Sequence, residues 1–278
     1  MPEMSQQDKE KLLSAFPAST RPESSYSRFL CVLYGRSGTG KTSCWTTARR
    51  PILLHAFDPG CIDNELVKPH VVFDAASLGG DKFILANNDF EFDDPNNPTA
   101  MLKWATEFER LKRLKIFDFF ATWVIDSLTS MSDANMAQHL KLVDRETPLA
   151  VPGWGKTNDY ADAANKFKRI IRQILSINID TIFTGHPDTS VDELNDKKTR
   201  SSLELPGAAK RLIPQVASEY YMTEATTVNG KTTYKLRTKP DGIIDAKSRK
   251  ASALQSLEDP NLLEIMKKTG YNFEHKPY

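Results

Sequence analysis

Cysteine is scarce in this chain, and its few copies lack the spacing of a metal site or a disulfide framework. The 278 residues include three cysteines, Cys31, Cys44 and Cys61, an odd number without a short paired motif. We therefore expect reduced, mostly buried thiols, as in an intracellular protein. Because no run approaches 18 apolar residues and the first residues lack a secretory pattern, we expect a soluble, cytoplasmic protein without a membrane span.

An excess of either charge is also missing, since the formal net charge is +1. This balance excludes a global attraction to nucleic acid or membranes, so any contact with DNA depends on local patches. Apolar residues make up 40% of the chain, enough for the core of one large domain or two small ones.

Glycine is infrequent as well, with 13 copies, yet three of them fall within residues 35–40. Residues 35–42 read GRSGTGKT and fit the phosphate-loop pattern G-x-x-x-x-G-K-[ST]. An apolar run over 29–34 precedes the pattern and a helix-compatible run follows, so backbone N–H groups would surround a phosphate. We predict an ATP site formed by Gly35, Arg36, Ser37, Gly38, Thr39, Gly40, Lys41, Thr42 and Ser43.

Polar side chains end three further apolar runs, which we interpret as buried parallel strands: Asp58, Asp126 and His186. Downstream of a phosphate loop, Asp126 is expected to support the Mg²⁺ that the Thr42 hydroxyl binds. Asp58 is a candidate for holding the attacking water, although Asp before Pro-Gly is equally typical of a turn. His186 is a candidate contact to the γ-phosphate; the alternative is a histidine whose hydrogen bonds are satisfied at a strand end.

Between these strands the pattern predicts helices from Asn97 as N-cap, over 128–144, from about 158 to 177, and over 208–216. Val228-Asn229-Gly230-Lys231 predicts a β-hairpin. Residues 77–98 are interpreted as an acidic surface excursion, and residues 145–157 and 187–202 as loops, the second of them mobile.

Three segments together resemble a known family: GRSGTGKT (35–42), WVIDSLTSM (123–131) and TIFTGH (181–186). The VIDS strand followed by an apolar helix resembles RecA-type recombinases rather than AAA+ or ABC ATPases. With HAFDPG (55–60) and IDAKSRK (244–250), the chain is similar to the short RecA-like ATPases of bacteriophages, some of which are single-strand annealing proteins. The resemblance covers about residues 28–252.

This resemblance implies roles for further residues. Lys247 and Arg249 fall where RecA-like rings and filaments insert a cation into the neighbour's site; ordinary surface charge is the alternative. The two loops fall where RecA-like proteins hold single-stranded DNA. Their candidate DNA-binding residues are Trp154, Lys156, Lys197, Lys198 and Arg200. Trp154 would stack on a base and the cations would meet phosphates, although four acidic residues share the second loop.

We therefore expect an α/β fold of the RecA-type P-loop NTPase class, with a mostly parallel sheet flanked by helices and a C-terminal antiparallel hairpin. The expected division is a polar segment over 1–27, an ATPase core over 28–252 and a helical tail over 253–278. The expected function is slow Mg²⁺-ATP hydrolysis, coupled to assembly on single-stranded DNA during phage recombination or strand annealing. Asp in place of Glu at position 58 is the reason for expecting a slow rate. Self-association and a single-strand-binding or recombination partner are further expectations.

Two other functions stay open. The first is a small-molecule or nucleotide kinase. Such kinases usually carry an Arg-rich lid over the phosphates, and the region after Gly185 has one arginine in sixteen residues, which counts against this function. A non-hydrolysing module that recruits a partner when nucleotide is bound is the other, because Asp58 stands where many RecA-like members have Glu.

Overall fold

The computed structural model describes residues 28–72, 83–94, 96–146, 159–192 and 198–276. Its strands are β1 (Leu30–Tyr34), β2 (Ile52–Ala56), β3 (Val71–Val72), β4 (Ile84–Asn87), β5 (Thr122–Asp126), β6 (Asp180–Gly185), β7 (Pro187–Asp192), β8 (Lys198–Leu203), β9 (Glu219–Val228), β10 (Lys231–Arg237), β11 (Lys247–Ser248) and β12 (Leu257–Glu258). Its α-helices are α1 (Lys41–Trp45), α2 (Ala100–Arg113), α3 (Leu128–Leu142), α4 (Asp159–Ser176), α5 (Gly207–Val216) and α6 (Leu262–Thr269). Within the described residues, no helix has the length and apolar character needed to cross a bilayer.

One ten-stranded sheet organises the fold, in the order β12-β10-β9-β1-β6-β5-β2-β4-β3, with β11 added to β9. The strands from β9 to β3 in this order pair in parallel, whereas β10, β11 and β12 pair antiparallel. This confirms the expected α/β class, its mostly parallel sheet and its antiparallel hairpin. Because the strands are parallel, the ends of β1, β2, β5 and β6 meet at one edge of the sheet.

Both faces of the sheet are buried, which explains the continuous apolar runs of the central strands. In β1, Leu30, Val32 and Tyr34 belong to one core cluster, together with residues of α2 to α5. Cys31 and Leu33 face a second cluster, which includes residues of α1 and α6. Residues 253–276 thus supply a strand and a helix to the main body, and the domain boundary at 252 stays a prediction.

Several local expectations were wrong in detail. The segment predicted as a mobile loop over 187–202 contains β7 and β8, which pair antiparallel as a separate two-stranded hairpin. Main-chain hydrogen bonds from Ser201 N to Ile243 O at 2.7 Å and from Asp245 N to Ser201 O at 2.9 Å hold its second strand to the segment before β11. The supposed surface excursion contains β4, an internal strand of the sheet between β2 and β3.

The helix starts also differ. Helix α2 begins after Thr99, not after Asn97, because the Asp93 carboxylate accepts hydrogen bonds from Thr99 N at 2.8 Å and Ala100 N at 3.0 Å. Helix α1 ends at Trp45, although the residues as far as Arg49 are compatible with a helix. The chain must turn there to reach Pro51 and the start of β2.

Candidate functional site

The phosphate loop lies directly after β1, at the edge where the parallel strands end. Gly35 N donates to Gly185 O at 3.1 Å, so the loop starts beside the end of β6. Gly38 and Gly40 have φ of 76° and 88°, a region that glycine enters without steric cost. Gly40 is the N-cap of α1. The unpaired N–H groups in the first turn of this helix therefore point toward the place where the loop would hold its ligand.

Gly35 is required by packing and not by its backbone angles. A Cβ at this position would lie 2.2 Å from Thr223 Oγ1 and 2.7 Å from Thr223 O, both on β9. Thr39 Oγ1 and Thr223 Oγ1 are hydrogen-bonded at 2.6 Å. Gly35 and Thr39 therefore fix the loop against β9, while Arg36 is exposed to solvent.

Lys41 is buried, with 8% of its surface exposed, and its ammonium bonds the loop itself. Nζ donates to Gly35 O at 2.7 Å and to Arg36 O at 3.0 Å. Burial lowers the pKa of Lys41, and the carboxylates of Asp126 and Asp58 partly offset that effect. A cation held at the loop by carbonyl oxygens is placed to bind the oxygens of a triphosphate.

Asp126 is buried at the end of β5 with both oxygens engaged. Its Oδ1 accepts a hydrogen bond from the Thr184 hydroxyl. Its Oδ2 accepts from Trp45 Nε1 at 2.9 Å, Cys61 Sγ at 3.2 Å and Thr42 Oγ1 at 3.5 Å. One hydroxyl and one carboxylate side by side are the hard oxygen donors that Mg²⁺ prefers, with waters completing its shell.

Asp58, two residues beyond β2, carries a second carboxylate into the same place. Oδ1 accepts hydrogen bonds from Ser127 Oγ at 2.8 Å and from the Ser130 hydroxyl, and Oδ2 lies 3.4 Å from His186 Nε2. Burial alone would raise the pKa of Asp58, but the hydrogen bonds from His186, Ser130 and Ser127 outweigh it and hold the pKa below the ordinary value. The group is therefore ionised at neutral pH.

His186 sits at the junction of β6 and β7. Its N–H donates to Thr129 Oγ1 at 3.0 Å, and its carbonyl accepts from Glu204 N at 2.9 Å. The side chain is 36% exposed and its Nε2 lies 3.4 Å from Asp58 Oδ2. A contact to the γ-phosphate stays a prediction, as does the alternative of a histidine whose hydrogen bonds are satisfied at a strand end.

These groups surround one cavity of about 510 Å³. Its lining includes Ser37, Gly38, Gly40, Lys41, Thr42, Ser43, Asp58, Asp126 and His186. The sequence-based candidates that end β1, β2, β5 and β6 thus come together, as parallel strands require. Their chemical roles stay predictions.

The sequence did not reveal two residues at or beside the cavity. Tyr234 of β10 lines it, and its ring lies 3.1 Å from where a Cβ of Gly40 would stand. Glu91 supports the lining residue Gly60, whose N–H donates to its carboxylate at 3.3 Å, and burial raises the pKa of Glu91. No local motif announces either residue, because each meets the site from a segment distant in sequence.

Lys247 and Arg249 do not reach the cavity of their own subunit. Lys247 pairs with Tyr220, the second residue of β9, and its Nζ donates to Pro214 O at 2.5 Å. Arg249 N donates to Ser218 O at 3.0 Å, near the start of β9. Both residues lie toward the start of β9, away from the edge that carries the phosphate loop.

The predicted DNA-binding residues fall largely beyond what can be placed. Trp154, Lys156 and Lys197 lie outside the described residues. Lys198 and Arg200 lie on β8, opposite Asp192 and Ser190 of β7. The structure thus corrects their setting from a mobile loop to a hairpin. In the part of the chain that is described, no cluster of three or more His, Cys, Asp or Glu residues is arranged to hold a metal.

Comparisons with known proteins found one family model and distantly similar solved structures. A family model described as an AAA domain matches residues 28–250. Among solved structures, the flagellar accessory protein FlaH from Methanocaldococcus jannaschii is 13% identical over 82% of this chain and 83% of its own, with a TM-score of 0.38. A KaiC-like protein from Pyrococcus horikoshii is 15% identical over 74% of this chain and 76% of its own, with a TM-score of 0.37. No curated protein matches.

The family description names the AAA class, whereas the VIDS strand resembles that of RecA-type recombinases rather than AAA+ ATPases. Fold and family nevertheless agree on a nucleotide-binding P-loop ATPase. Since the family model spans most of the sequence, this chain belongs to the AAA domain family.

Proposed function

We propose that this protein binds Mg²⁺-ATP in the cavity at the phosphate loop and hydrolyses it with Asp58 as the group that orients the attacking water. The observation that carries the proposal is the position of Asp58. Its carboxylate lines the cavity that also contains Lys41, Thr42 and Asp126, and three side-chain donors fix its direction. If Asp58 served only to stabilise the turn at Pro59-Gly60, its carboxylate would not need to be ionised or to face the cavity.

The residues of the chain divide the work. The loop N–H groups and the Lys41 ammonium bind phosphate oxygens, and Lys41 exchanges its bonds to Gly35 O and Arg36 O for bonds to the nucleotide. Thr42 and Asp126 would hold Mg²⁺, which when bound neutralises charge on the phosphates. Trp45, Cys61 and Thr184 keep the Asp126 carboxylate in one orientation.

A carboxylate whose pKa is lowered is a weak proton acceptor. We therefore assign Asp58 to holding and orienting a water molecule, not to removing its proton early in the reaction. This assignment fits a loose transition state for phosphoryl transfer, in which the protein contributes positioning and charge stabilisation. It also fits the slow turnover that the sequence leads us to expect from Asp at position 58.

His186 provides a route from the nucleotide to the rest of the molecule. Its side chain is within 3.4 Å of Asp58, and β7 starts at the next residue. Thr129 links the two segments that leave the site, because its hydroxyl accepts from His186 N and donates to Glu204 O at 3.3 Å. We propose that loss of the γ-phosphate moves His186 and with it the β7–β8 hairpin.

We further propose that the hairpin acts on single-stranded DNA and that the protein assembles into a ring or filament during phage recombination or strand annealing. Lys198 and Arg200 on β8 are the candidates there for phosphate contacts. Trp154, Lys156 and Lys197, which lie outside the described residues, are the further candidates from the sequence. Lys247 or Arg249 would enter the nucleotide site of a neighbouring subunit. The support is the sequence resemblance together with the distance of both cations from their own cavity.

The test is ATP turnover with and without single-stranded DNA at two salt concentrations. We expect DNA to stimulate phosphate release, and we expect stimulation to fade as salt rises, since phosphate contacts release counterions. Replacing Lys198 and Arg200 by Gln should reduce the stimulation and leave the basal rate unchanged. The matched pair Lys112→Gln and Arg113→Gln on α2 should change neither the stimulation nor the basal rate. Equal rates of ATP turnover under all four conditions would show that DNA does not act on this ATPase.

A further inference from the structure

A second, smaller cavity lies at the opposite edge of the sheet, where the parallel strands begin. Its volume is about 140 Å³, and its polar lining consists of Arg28, Arg49, Asn178, Asp180, Asn272 and Lys276. These residues precede β1 and β2, start β6, or follow α6. Ligands of open parallel sheets bind at the other edge, so neither the fold nor the nucleotide site explains a polar cavity here.

Backbone carbonyl groups hold two of its cations in place. Arg28 Nη1 donates to Leu175 O at 2.9 Å and to Ile177 O at 2.5 Å. Lys276 Nζ donates to Phe120 O at 2.5 Å and to Asp118 O at 3.3 Å. Carbonyl groups fix the direction of these cations without neutralising them, and each cation has further N–H donors beyond the bonds described.

Arg49 is the deepest of the three cations, with 11% of its side chain exposed. Nε donates to Glu274 O at 2.7 Å and Nη1 to Asp180 Oδ2 at 2.6 Å. The other oxygen of Asp180 accepts Phe29 N at 2.9 Å. Among the lining side chains, three cations therefore face a single carboxylate.

Burial and like charge both act on the basic groups of this region. Burial and the neighbouring Arg49 lower the pKa of Lys276, against smaller opposing effects of Asp118 and Asp180. Burial, Arg50 and Arg49 lower the pKa of the nearby His275. Collecting like charges in a partly buried place costs free energy unless an anion joins them.

We propose that this cavity binds a phosphate dianion, either free or as a phosphomonoester. Two positive charges in excess of the carboxylate match the charge of a dianion, which a phosphate group approaches at neutral pH. Fixed guanidinium and ammonium donors together with two amide side chains supply the hydrogen bonds. The cavity has room for one such group, and its ligand would tie together the starts of β1 and β2 and the segment after α6.

The test measures thermal unfolding of the full chain in inorganic phosphate and in chloride at equal ionic strength. All proteins carry Lys41→Ala, which weakens phosphate binding at the nucleotide loop. At a phosphate concentration ten times its Kd, we expect Tm to rise by about 3 °C. Adding Lys276→Gln should abolish the rise, and adding Lys267→Gln, an exposed lysine on α6, should leave it intact.

A rise that Lys276→Gln leaves unchanged, or no rise at all, would overturn the proposal. A second arm replaces phosphate by a thymidine oligonucleotide without terminal phosphates, whose phosphodiesters carry one charge each. If only inorganic phosphate raises Tm, and the rise depends on Lys276, the cavity binds the dianion as proposed. If the oligonucleotide also gives a Lys276-dependent rise in Tm, the site is confirmed and polynucleotide phosphates are a further ligand. A rise confined to the oligonucleotide would contradict the assignment. None of these outcomes depends on ATP hydrolysis.

Discussion

At the scale of single residues, the two carboxylates of the site differ in their surroundings more than in their chemistry. Asp126 is buried and accepts hydrogen bonds from an indole, a thiol and two hydroxyl groups. Asp58 is partly exposed, and its donors are Ser127, Ser130 and His186. The first is suited to steady a metal shell, the second to face a water molecule.

The hydroxyl of Ser130 stabilises the ionised form of Asp58 and should therefore control the acid limit of turnover. Because the pKa of Asp58 is lowered, its carboxylate stays ionised as pH falls until the pH approaches that lowered value. Ser130→Ala removes one donor and should raise the pKa of Asp58, so the acid limb of kcat moves about one pH unit higher. The measurement is kcat against pH.

Ser176→Ala, at the end of α4 and far from the cavity, is the control for Ser130→Ala and should leave the profile unchanged. An unaltered acid limb in Ser130→Ala, with the protein folded, would show that Asp58 does not limit turnover at low pH.

The residues at strand ends could be predicted, and their supporting donors could not. Lys41, Thr42, Asp58, Asp126 and His186 each stand next to a readable apolar run or motif. Ser130, Thr184, Cys61 and Trp45 carry no such mark, because their roles arise from the packing of segments that are distant in sequence. Tyr234 and Glu91 were missed for the same reason.

At the scale of secondary-structure elements, the predictable ones are those whose sequence contains its own signal. Strands β1, β5 and β6 are buried on both sides and read as continuous apolar runs, and Asn229-Gly230 marks the β9–β10 hairpin. Strand β7 and strand β8 are polar, and contacts such as Ser201 N to Ile243 O hold the hairpin to a distant segment. A polar hairpin of this kind cannot be distinguished from a loop by periodicity.

The contact between the phosphate loop and β9 yields a test at this scale. Gly35→Ala would place a methyl group 2.2 Å from Thr223 Oγ1 and 2.7 Å from a backbone oxygen, so the loop or the strand must shift. We expect a loss of about 2 kcal/mol in the free energy of unfolding, measured by chemical denaturation, together with weaker nucleotide binding.

Gly207→Ala is the matched control, because nothing lies within 4 Å of a Cβ at the first residue of α5. Its stability should change by less than about 0.5 kcal/mol. Equal stability of the two variants would mean that β9 does not press on the loop as described.

At the scale of the whole molecule, the sheet is buried by two separate cores, and a histidine lies inside one of its central strands. His55 of β2 is fully buried and accepts a hydrogen bond from Trp104 Nε1 at 3.1 Å, with Trp123 and Phe90 packed at the edges of its ring. Burial lowers its pKa to about 3. The fold therefore requires the neutral imidazole.

This requirement makes stability depend on pH. The unfolded chain binds a proton on His55 near pH 6.5 and the folded chain only near pH 3, so the contribution is complete above 6.5 and lost as pH falls toward 3. Between pH 7.5 and 5, His55 should cost about 2 kcal/mol of unfolding free energy. In His55→Gln the side chain cannot titrate but can still accept a hydrogen bond from Trp104, so the free energy of unfolding should depend less on pH. An unchanged pH dependence would contradict the assignment.

The central claim concerns the cavity at the phosphate loop, and steady-state release of phosphate from Mg²⁺-ATP, with nucleotide binding measured in parallel, tests it most directly. The account predicts saturable turnover in the native protein. Lys41→Ala should lose binding and turnover together. Asp58→Asn should keep binding within about threefold and lower kcat by about 100-fold or more, while the exposed Asp63→Asn behaves as the native protein. Turnover that survives in Asp58→Asn, or absence of Mg²⁺-ATP binding in the native protein, would contradict the account.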